Sequence, residues 1–322
     1  MSALTLLVVG NPAESALSLL DRLPPETRIA VSERPAAFGR IAGEADVILD
    51  AWSVPGVLEA VFAMCPRVRW VHSLTAGVEN ILFPALIESP VPLTNSRGVF
   101  SRSLAEFAVA AMLFFAKDFR RMLRSQEAGQ WDRFDVEEVY GRTAAILGYG
   151  EIGRHTAQLA SALGMRIRAM RRHPERRSGG PDGVRIYPPE AKLEFLRGAD
   201  YLVISVPLTA ETRGMIGELE LRALKPNAVL INIGRGPVVR EDALIGALTG
   251  GWIRGAALDV FDQEPLPAGH PFYSLGNVLL SAHCADHTSD WKELAMRFFL
   301  SNFERFRRGE PLANVVDKRL GY

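Results

Sequence analysis

The stretch from Thr143 to Arg172 constrains the fold more than any other. An apolar run, Thr143-Ala144-Ala145-Ile146-Leu147, leads into Gly148-Tyr149-Gly150-Glu151-Ile152-Gly153. A helix-like segment follows from His155 to Leu163, and after Gly164 a second short run spans Met165 to Met170. The order is strand, glycine turn, helix, strand. A G-x-G-x-x-G pattern says little alone, but between a strand and a helix it marks a dinucleotide-binding βαβ unit. Gly148 permits the tight turn, Gly150 lets a pyrophosphate approach the backbone, and Gly153 lets helix pack close on strand. The first turn of the helix then offers its N–H groups and partial positive charge to the phosphates. A glycine-rich turn without a ligand is the competing reading.

The end of the second strand bears on which dinucleotide is bound. An acid about 20 residues after the turn usually accepts hydrogen bonds from the adenosine ribose. Here the strand ends at Met170, and Arg171, Arg172 and His173 follow with no carboxylate among them. Guanidiniums match the oxygens of a 2′-phosphate, so NADP(H) is expected in preference to NAD(H). Arg176 and Arg177 lie just beyond, which keeps a plain solvated basic loop as the alternative.

At 322 residues the chain has room for two domains. Lys plus Arg equals Asp plus Glu at 37 each, which gives no support for nucleic acid or an anionic membrane as partner. Cys65 and Cys284 are too few for a disulfide framework or a cysteine-rich metal site, and no metal is expected. Leu4 to Val9 is too short for a signal core, and Phe107 to Ala116 is far below the roughly 20 residues of a membrane span. A soluble cytoplasmic protein is expected.

Before the glycine turn, Leu4–Val9, Arg28–Val31, Val47–Leu49 and Val68–Val71 read as strands with helices between them, the first helix signalled at Asn11-Pro12 and running through Leu20. Alternating strands and helices imply a parallel sheet covered on both faces. Ser101 to about Ala128 reads as one long helix, and Trp131 and Phe134 follow in a charged segment, either as local packing or as an arm clasping another subunit. After the turn, strands are expected at Tyr201–Ser205, Ala228–Asn232, Ala256–Leu258 and Val278–Leu280, with a helix at Glu241–Leu248. A final helix from about Ser289 to Arg308 carries Leu294, Phe298, Phe299 and Phe303 toward a core, and the tail from Pro311 packs back on the first domain. The fold class is therefore α/β, with two Rossmann-like doubly wound domains. Residues 1–98 with 289–322 form a discontinuous, flavodoxin-like substrate domain, and 99–288 form the dinucleotide-binding domain.

Ligands of such sheets gather at the carboxyl ends of the strands. Arg235, Glu264 and His283 all fall in strand-end loops. Reduction of a carbonyl by a nicotinamide needs a cation to polarise the carbonyl and a proton donor for the alkoxide, roles suited to Arg and His. A carboxylate beside the His favours its protonated form. Each residue alone has an ordinary structural reading; together, after a dinucleotide motif, they suggest a reaction centre.

With these motifs the chain resembles the D-isomer-specific 2-hydroxyacid dehydrogenases over nearly its full length. The matching segments are Gly148 to Gly153, Val206-Pro207-Leu208-Thr209 with Thr212, Asn232 to Gly236 with Glu241-Asp242-Ala243-Leu244, Ala256 to Pro265, and Ser281 to Ala285. The resemblance implies a catalytic Arg235 and a Glu264 paired with His283. It implies a dinucleotide site of Gly148, Tyr149, Gly150, Glu151, Ile152, Gly153, Arg171, Arg172, Val206, Pro207, Thr212, Ile233, Gly234, Arg235, Asp259 and His283, with Asp259 near the nicotinamide carboxamide. It gives the loop Ser73–Val78, and within it Leu74, Thr75, Ala76 and Gly77, the substrate carboxylate, shared with Arg235 and His283, although from the residues alone that loop reads as a plain turn. Asn95 falls at the cleft edge.

The implied activity is reversible reduction of a small 2-oxo acid of the glyoxylate or hydroxypyruvate kind to the D-2-hydroxy acid, by a homodimer joined through the nucleotide domain and closing over its substrate. Arg171 in place of the family's frequent Asp resembles the NADP-preferring glyoxylate/hydroxypyruvate reductase branch. Cys284 replaces a usually aliphatic residue and reads as a small buried hydrophobe, with a reactive thiol as the alternative. His287 is a rival to His283, and Trp52, Val54 and Trp291 are candidates for the substrate end. A dinucleotide-sensing corepressor-like protein on the same fold is the alternative. A formate-type relative would carry Gln at position 264, where this chain has Glu.

Overall fold

The computed structural model describes residues 3–175 and 179–322, so Arg176 and Arg177 lie outside the described residues. The chain divides into two compact units, Met1–Phe100 with Thr288–Tyr322, and Ser101–His287.

The first unit is built on β1 (Thr5–Gly10), β2 (Arg28–Ser32), β3 (Val47–Ala51), β4 (Trp70–Ser73) and β5 (Leu93–Asn95), all parallel in the order β2-β1-β3-β4-β5. β1 and β3 are buried at every residue, as expected of central strands covered on both faces. The terminal segment completes this unit. In the helix Trp291–Arg307, Phe299 stacks on Trp70 with ring centroids 5.5 Å apart, and the Val316 N–H donates to the Leu93 carbonyl at 2.8 Å. Leu294 does not point to the core; Ala295, Met296, Phe299 and Phe303 share the buried stripe, and position 294 lies off it on the exposed side. The expected helix after Asn11-Pro12 is a 3₁₀ helix over Ser15–Arg22.

The second unit holds β6 (Thr143–Leu147), β7 (Arg166–Met170), β8 (Arg185–Tyr187), β9 (Tyr201–Ile204), β10 (Val229–Asn232), β11 (Gly255–Leu258) and β12 (Val278–Leu280). They form one parallel sheet in the order β12-β11-β10-β9-β6-β7-β8. The order reverses between β6 and β9, the switch point at which doubly wound sheets bind ligands. The carboxyl end of β6 carries the glycine turn and that of β9 carries Val206-Pro207.

The long helix expected over 101–128 is two helices, Ser101–Ala116 and Phe119–Glu127. Asp118 breaks it by adopting the left-handed conformation (φ 49°, ψ 51°), from which its backbone carbonyl and carboxylate accept from the Arg121 N–H. In the segment that follows, local packing accounts for Phe134, whose ring lies 4.3 Å from the Arg121 guanidinium carbon, but Trp131 is 89% exposed.

Candidate active site

Each motif glycine occupies the space its role requires. Gly148 has φ 98°, and a Cβ there would meet the Ser205 carbonyl at 2.8 Å. A Cβ on Gly153 would sit 2.1 Å from the Gly148 oxygen, so only glycine lets the helix Glu151–Ala162 press this close to the turn. Gly150 differs from both: nothing lies within 4 Å of its Cβ position. Its lack of a side chain is not demanded by the protein and leaves room at the helix N-terminus where a phosphate would approach. Glu151 pairs with Arg154 within the first turn, and Ile152 begins the helix interior.

Beyond β7 the two arginines take different settings. The Arg171 N–H donates to the Tyr187 carbonyl at 3.2 Å, and the charges of Arg154 and Arg171 both act on the buried Tyr149 hydroxyl, whose pKa burial raises. Arg172 pairs with Glu211 at 3.3 Å. The β9 loop is stapled by Thr212, whose hydroxyl donates to the Pro207 carbonyl at 2.6 Å and accepts from the Thr209 N–H at 2.8 Å. Val206 packs over Gly148 on one side, and its carbonyl lies 2.9 Å from the Cβ position of Gly234 on the other.

The chemistry-bearing side chains converge from three loops of the second unit. Asn232 shapes the Arg235 loop: its Oδ1 accepts from the Gly234 N–H at 3.1 Å and its Nδ2 donates to the Arg235 carbonyl at 3.0 Å. Ile233 is buried behind that turn. Glu264 uses Oε1 to accept from the Phe261 N–H at 2.9 Å and offers Oε2 to His283 Nδ1 at 2.6 Å. His283 has φ 50°, in the left-handed region that few residues other than glycine occupy. It is held there by Asp259, whose carbonyl accepts from the His283 N–H at 2.8 Å and whose Oδ1 accepts from the Cys284 and Ala285 N–H groups at 2.9 and 3.1 Å. Asp259 is 1% exposed and thus organises the His283 loop from below.

The electrostatics follow from this packing. The Glu264 hydrogen bond raises the pKa of His283; burial opposes it, the Glu264 and Asp259 charges add to it, and Arg235 opposes it. For Glu264, burial pushes the pKa up, but the His283 bond, the Phe261 N–H and the charges of His283 and Arg235 outweigh it, and the net shift is downward. Arg235 is therefore close enough to act on both members of the pair. The imidazole is 43% exposed, and Nε2 makes no hydrogen bond among the described residues. The Glu264 bond thus favours the protonated ring, and a histidine held this way can serve as a general acid. His287 has a different setting: its N–H donates to the Cys284 carbonyl at 3.0 Å and its Nε2 lies 3.8 Å from Asp286. Cys284 is not buried as expected but exposed, because Asp259 turns the backbone outward there; its Sγ lies 3.3 Å from the Ser281 hydroxyl. Among the described residues, no group of three or more His, Cys, Asp or Glu side chains could hold a metal ion, and no helix is long and apolar enough to cross a membrane.

In the first unit, the loop after β4 directs its carbonyls inward. Those of Thr75, Ala76 and Gly77 accept from the Ser96 N–H, Asn95 Nδ2 and the Thr75 hydroxyl at 2.9, 2.5 and 2.7 Å. The Ala76 and Gly77 N–H groups make no hydrogen bond among the described residues, and Ala76 is exposed. Neighbouring N–H groups without a protein partner can cradle an anion. Leu74 is buried beneath, its N–H donating to the Asp50 carbonyl at 3.0 Å. Asn95, 3% exposed, supports the loop from inside rather than lining an edge. Trp52, next to β3, has φ 58° and meets Trp291 edge-on at 5.2 Å, while Val54 is 69% exposed.

Asn232, Glu211 and the loop-holding role of Asp259 were not foreseen. Asn232 had a readable signal, an Asn two residues before a Gly, which favours a side-chain-stapled turn.

Known proteins resemble this chain in sequence and fold. The model of the D-isomer specific 2-hydroxyacid dehydrogenase NAD-binding domain matches residues 109–285. A glyoxylate reductase from Korarchaeum cryptofilum is 33% identical over 309 residues, covering 93% of this chain and 89% of its own. Among solved structures, an NADPH-dependent glyoxylate/hydroxypyruvate reductase from Sinorhizobium meliloti, in complex with NADP and sulfate, superposes with a TM-score of 0.86 at 27% identity over 100% of both chains. A D-isomer specific 2-hydroxyacid dehydrogenase from Xanthobacter autotrophicus Py2, in complex with NADPH and MES, gives 0.83 at 30% identity, also over 100% of both. From the domain match and the near full-length identity, the chain belongs to the D-isomer specific 2-hydroxyacid dehydrogenase family of nicotinamide-dependent oxidoreductases.

Proposed function

We propose that this protein reduces a small 2-oxo acid of the glyoxylate or hydroxypyruvate kind to the D-2-hydroxy acid, reversibly, with NADP(H) preferred over NAD(H). The observation that carries the reading is the 2.6 Å bond from His283 Nδ1 to Glu264 within reach of the Arg235 charge. The open Cβ space at Gly150 and the helix start behind it suit a pyrophosphate. The bound dinucleotide supplies the hydride.

In this reading Arg235 polarises the carbonyl, and protonated His283 donates from Nε2 to the developing alkoxide. In the oxidative direction the same nitrogen takes the proton back. Glu264 holds the ring and stabilises its charged form. The loop 74–77 holds the substrate carboxylate through its N–H groups. Residues 148–153, Val206, Pro207, Thr212, Ile233, Gly234 and Asp259 line the dinucleotide, with Arg171 and Arg172 at a 2′-phosphate. Relatives solved with NADP and NADPH, and relatives named glyoxylate reductase, support the cofactor and the substrate size. A cytoplasmic homodimer through the nucleotide unit is part of the proposal, supported by the exposed Trp131 and by the helix Phe119–Glu127, which buries no residue.

The test is a panel of 2-oxo acids of graded size against both dinucleotides. Turnover is expected to be fastest with NADPH and the smallest acids. Tight dinucleotide binding without consumption by any acid would overturn the proposal in favour of a dinucleotide-sensing corepressor-like protein. Sedimentation of the wild type as a dimer and of Trp131→Ala toward the monomer is the matching test of assembly.

A further inference from the structure

The second unit contains a histidine–carboxylate pair apart from the His283 centre. His270 Nε2 lies 3.0 Å from Glu241 Oε1, and their side chains are only 13% and 26% exposed. The other ring nitrogen fixes the tautomer. The backbone N–H of Phe272 donates to His270 Nδ1 at 3.3 Å; a backbone N–H can only donate, so Nδ1 is the acceptor and Nε2 carries the proton toward Glu241.

The position of this pair in the chain matters more than its chemistry. Glu241 opens the helix Glu241–Thr249, directly after the loop that presents Arg235. His270 caps the short helix Pro271–Ser274, at the far end of the loop that presents Glu264. Their hydrogen bond joins the two loops through residues other than Arg235, Glu264 and His283. From His270 a packed path leads back to the chemistry. Its ring lies 4.8 Å from that of Phe272, Phe272 lies 6.3 Å from Phe261, and the Phe261 N–H holds Glu264 Oε1 at 2.9 Å. The same two loops meet a second time at Gly236, where a Cβ would fall 2.0 Å from the Phe261 carbonyl carbon. Two fastenings, one steric and one polar, therefore set the distance between the Arg235 loop and the Glu264 loop.

We infer that Glu241 and His270 are positioning residues: their hydrogen bond braces the Glu264 loop against the Arg235 loop and so holds Glu264 in register with His283. The inference rests on the proposed reaction at that centre. Asp262, in the same loop, has its pKa raised by burial and by the charges of Glu241 and Asp242, with Arg213 opposing. Misplacement of a reacting group by about 1 Å costs up to a hundredfold in rate, which is the scale on which the brace acts.

Two substitutions at one position separate bracing from packing. His270→Gln places an amide N–H near the Nε2 position and keeps the donor to Glu241. His270→Asn keeps an acceptor near Nδ1 for the Phe272 N–H and loses the reach to Glu241. His270→Gln is expected to retain kcat within about twofold, whereas His270→Asn loses about ten- to a hundredfold in kcat with KM for NADPH unchanged. NMR titration of the His283 ring, in the free protein and under the charges of Glu264, Arg235, Asp259 and Asp286, is the readout that mere packing would not move. It shifts to lower pH in His270→Asn and stays in place in His270→Gln. Glu241→Ala reproduces the His270→Asn result, and the double variant adds nothing further; this variant also serves if His270→Asn does not fold. Equal impairment of Gln and Asn variants, or an unmoved His283 titration in both His270→Asn and Glu241→Ala, overturns the inference. Absence of wild-type turnover would instead reject the proposed reaction, leaving the titration to decide the brace.

Discussion

Replacing Glu264 by Gln tests the catalytic pair most directly. The amide still accepts from the Phe261 N–H, so the loop is kept, but the charge that accompanies the 2.6 Å bond to His283 is gone. A hydrogen bond to a charged group contributes about 1.5–3 kcal/mol when buried. Here the imidazole is 43% and the carboxylate 35% exposed, so solvent screening reduces this to about 1–1.5 kcal/mol. At about 1.4 kcal/mol per factor of ten, kcat for reduction falls about five- to tenfold at neutral pH and above. The sign follows from the shifts. His283 is raised above its ordinary 6.5, so the proton donor is present at low pH and is lost as pH rises through the raised value. Glu264→Gln removes the largest cause of that rise, so the alkaline limb of the reduction profile moves to lower pH and the loss nearly vanishes under acidic conditions.

The same linkage governs stability. The His283 contribution is complete below its ordinary 6.5 and fades as pH rises through the raised value. The Glu264 contribution is complete above its ordinary 4.5 and fades as pH falls through the lowered value. Between 4.5 and 6.5 both are present, and the variant loses most there. The assay is NADPH oxidation with glyoxylate across a pH series, beside thermal melts in the same buffers. An alkaline limb superimposable on the wild type's would refute the assignment of Glu264 as the group that charges His283.

His283→Ala should lower turnover by about a hundred- to ten-thousandfold while NADPH still binds, as followed by nucleotide fluorescence; full activity would reject the general-acid role. Gly150→Ala and Gly153→Ala should separate cleanly. The first has open space, so it melts within about 0.5 kcal/mol of wild type but binds NADPH at least about tenfold more weakly; the second, meeting the Gly148 oxygen at 2.1 Å, loses about 1–3 kcal/mol or more of stability. Arg171→Asp should shift the NADPH-to-NADH ratio of kcat/KM toward NADH, and an unchanged ratio would count against a 2′-phosphate contact there.

The strands were legible where burial on both faces makes a continuous apolar run. β6 and β12 lie where those runs do, and β9, β10 and β11 differ from the expected bounds by a residue at one end. β5 and β8, three residues each, carry too little pattern to stand out. The break at Asp118 was not legible either, since apolar spacing continues past it and only the left-handed backbone reveals the cap. At the site, the glycine turn could be read from local chain geometry alone. The meeting of Arg235, Glu264 and His283 could not, because it depends on the lateral order of β10, β11 and β12, which no local pattern encodes. Resemblance supplied that step. Neither source suggested the Glu241–His270 bond, in which only Glu241 is legible, as a helix start.

The left-handed backbone at His283 has one more implication. An imidazole-bearing residue in that region of conformational space gives up about 1–2 kcal/mol relative to a relaxed backbone, and glycine would recover it. Glycine there would relax the backbone but lose the ring and its 2.6 Å bond to Glu264, so the relief of strain and the loss of the ion pair oppose each other at this one residue.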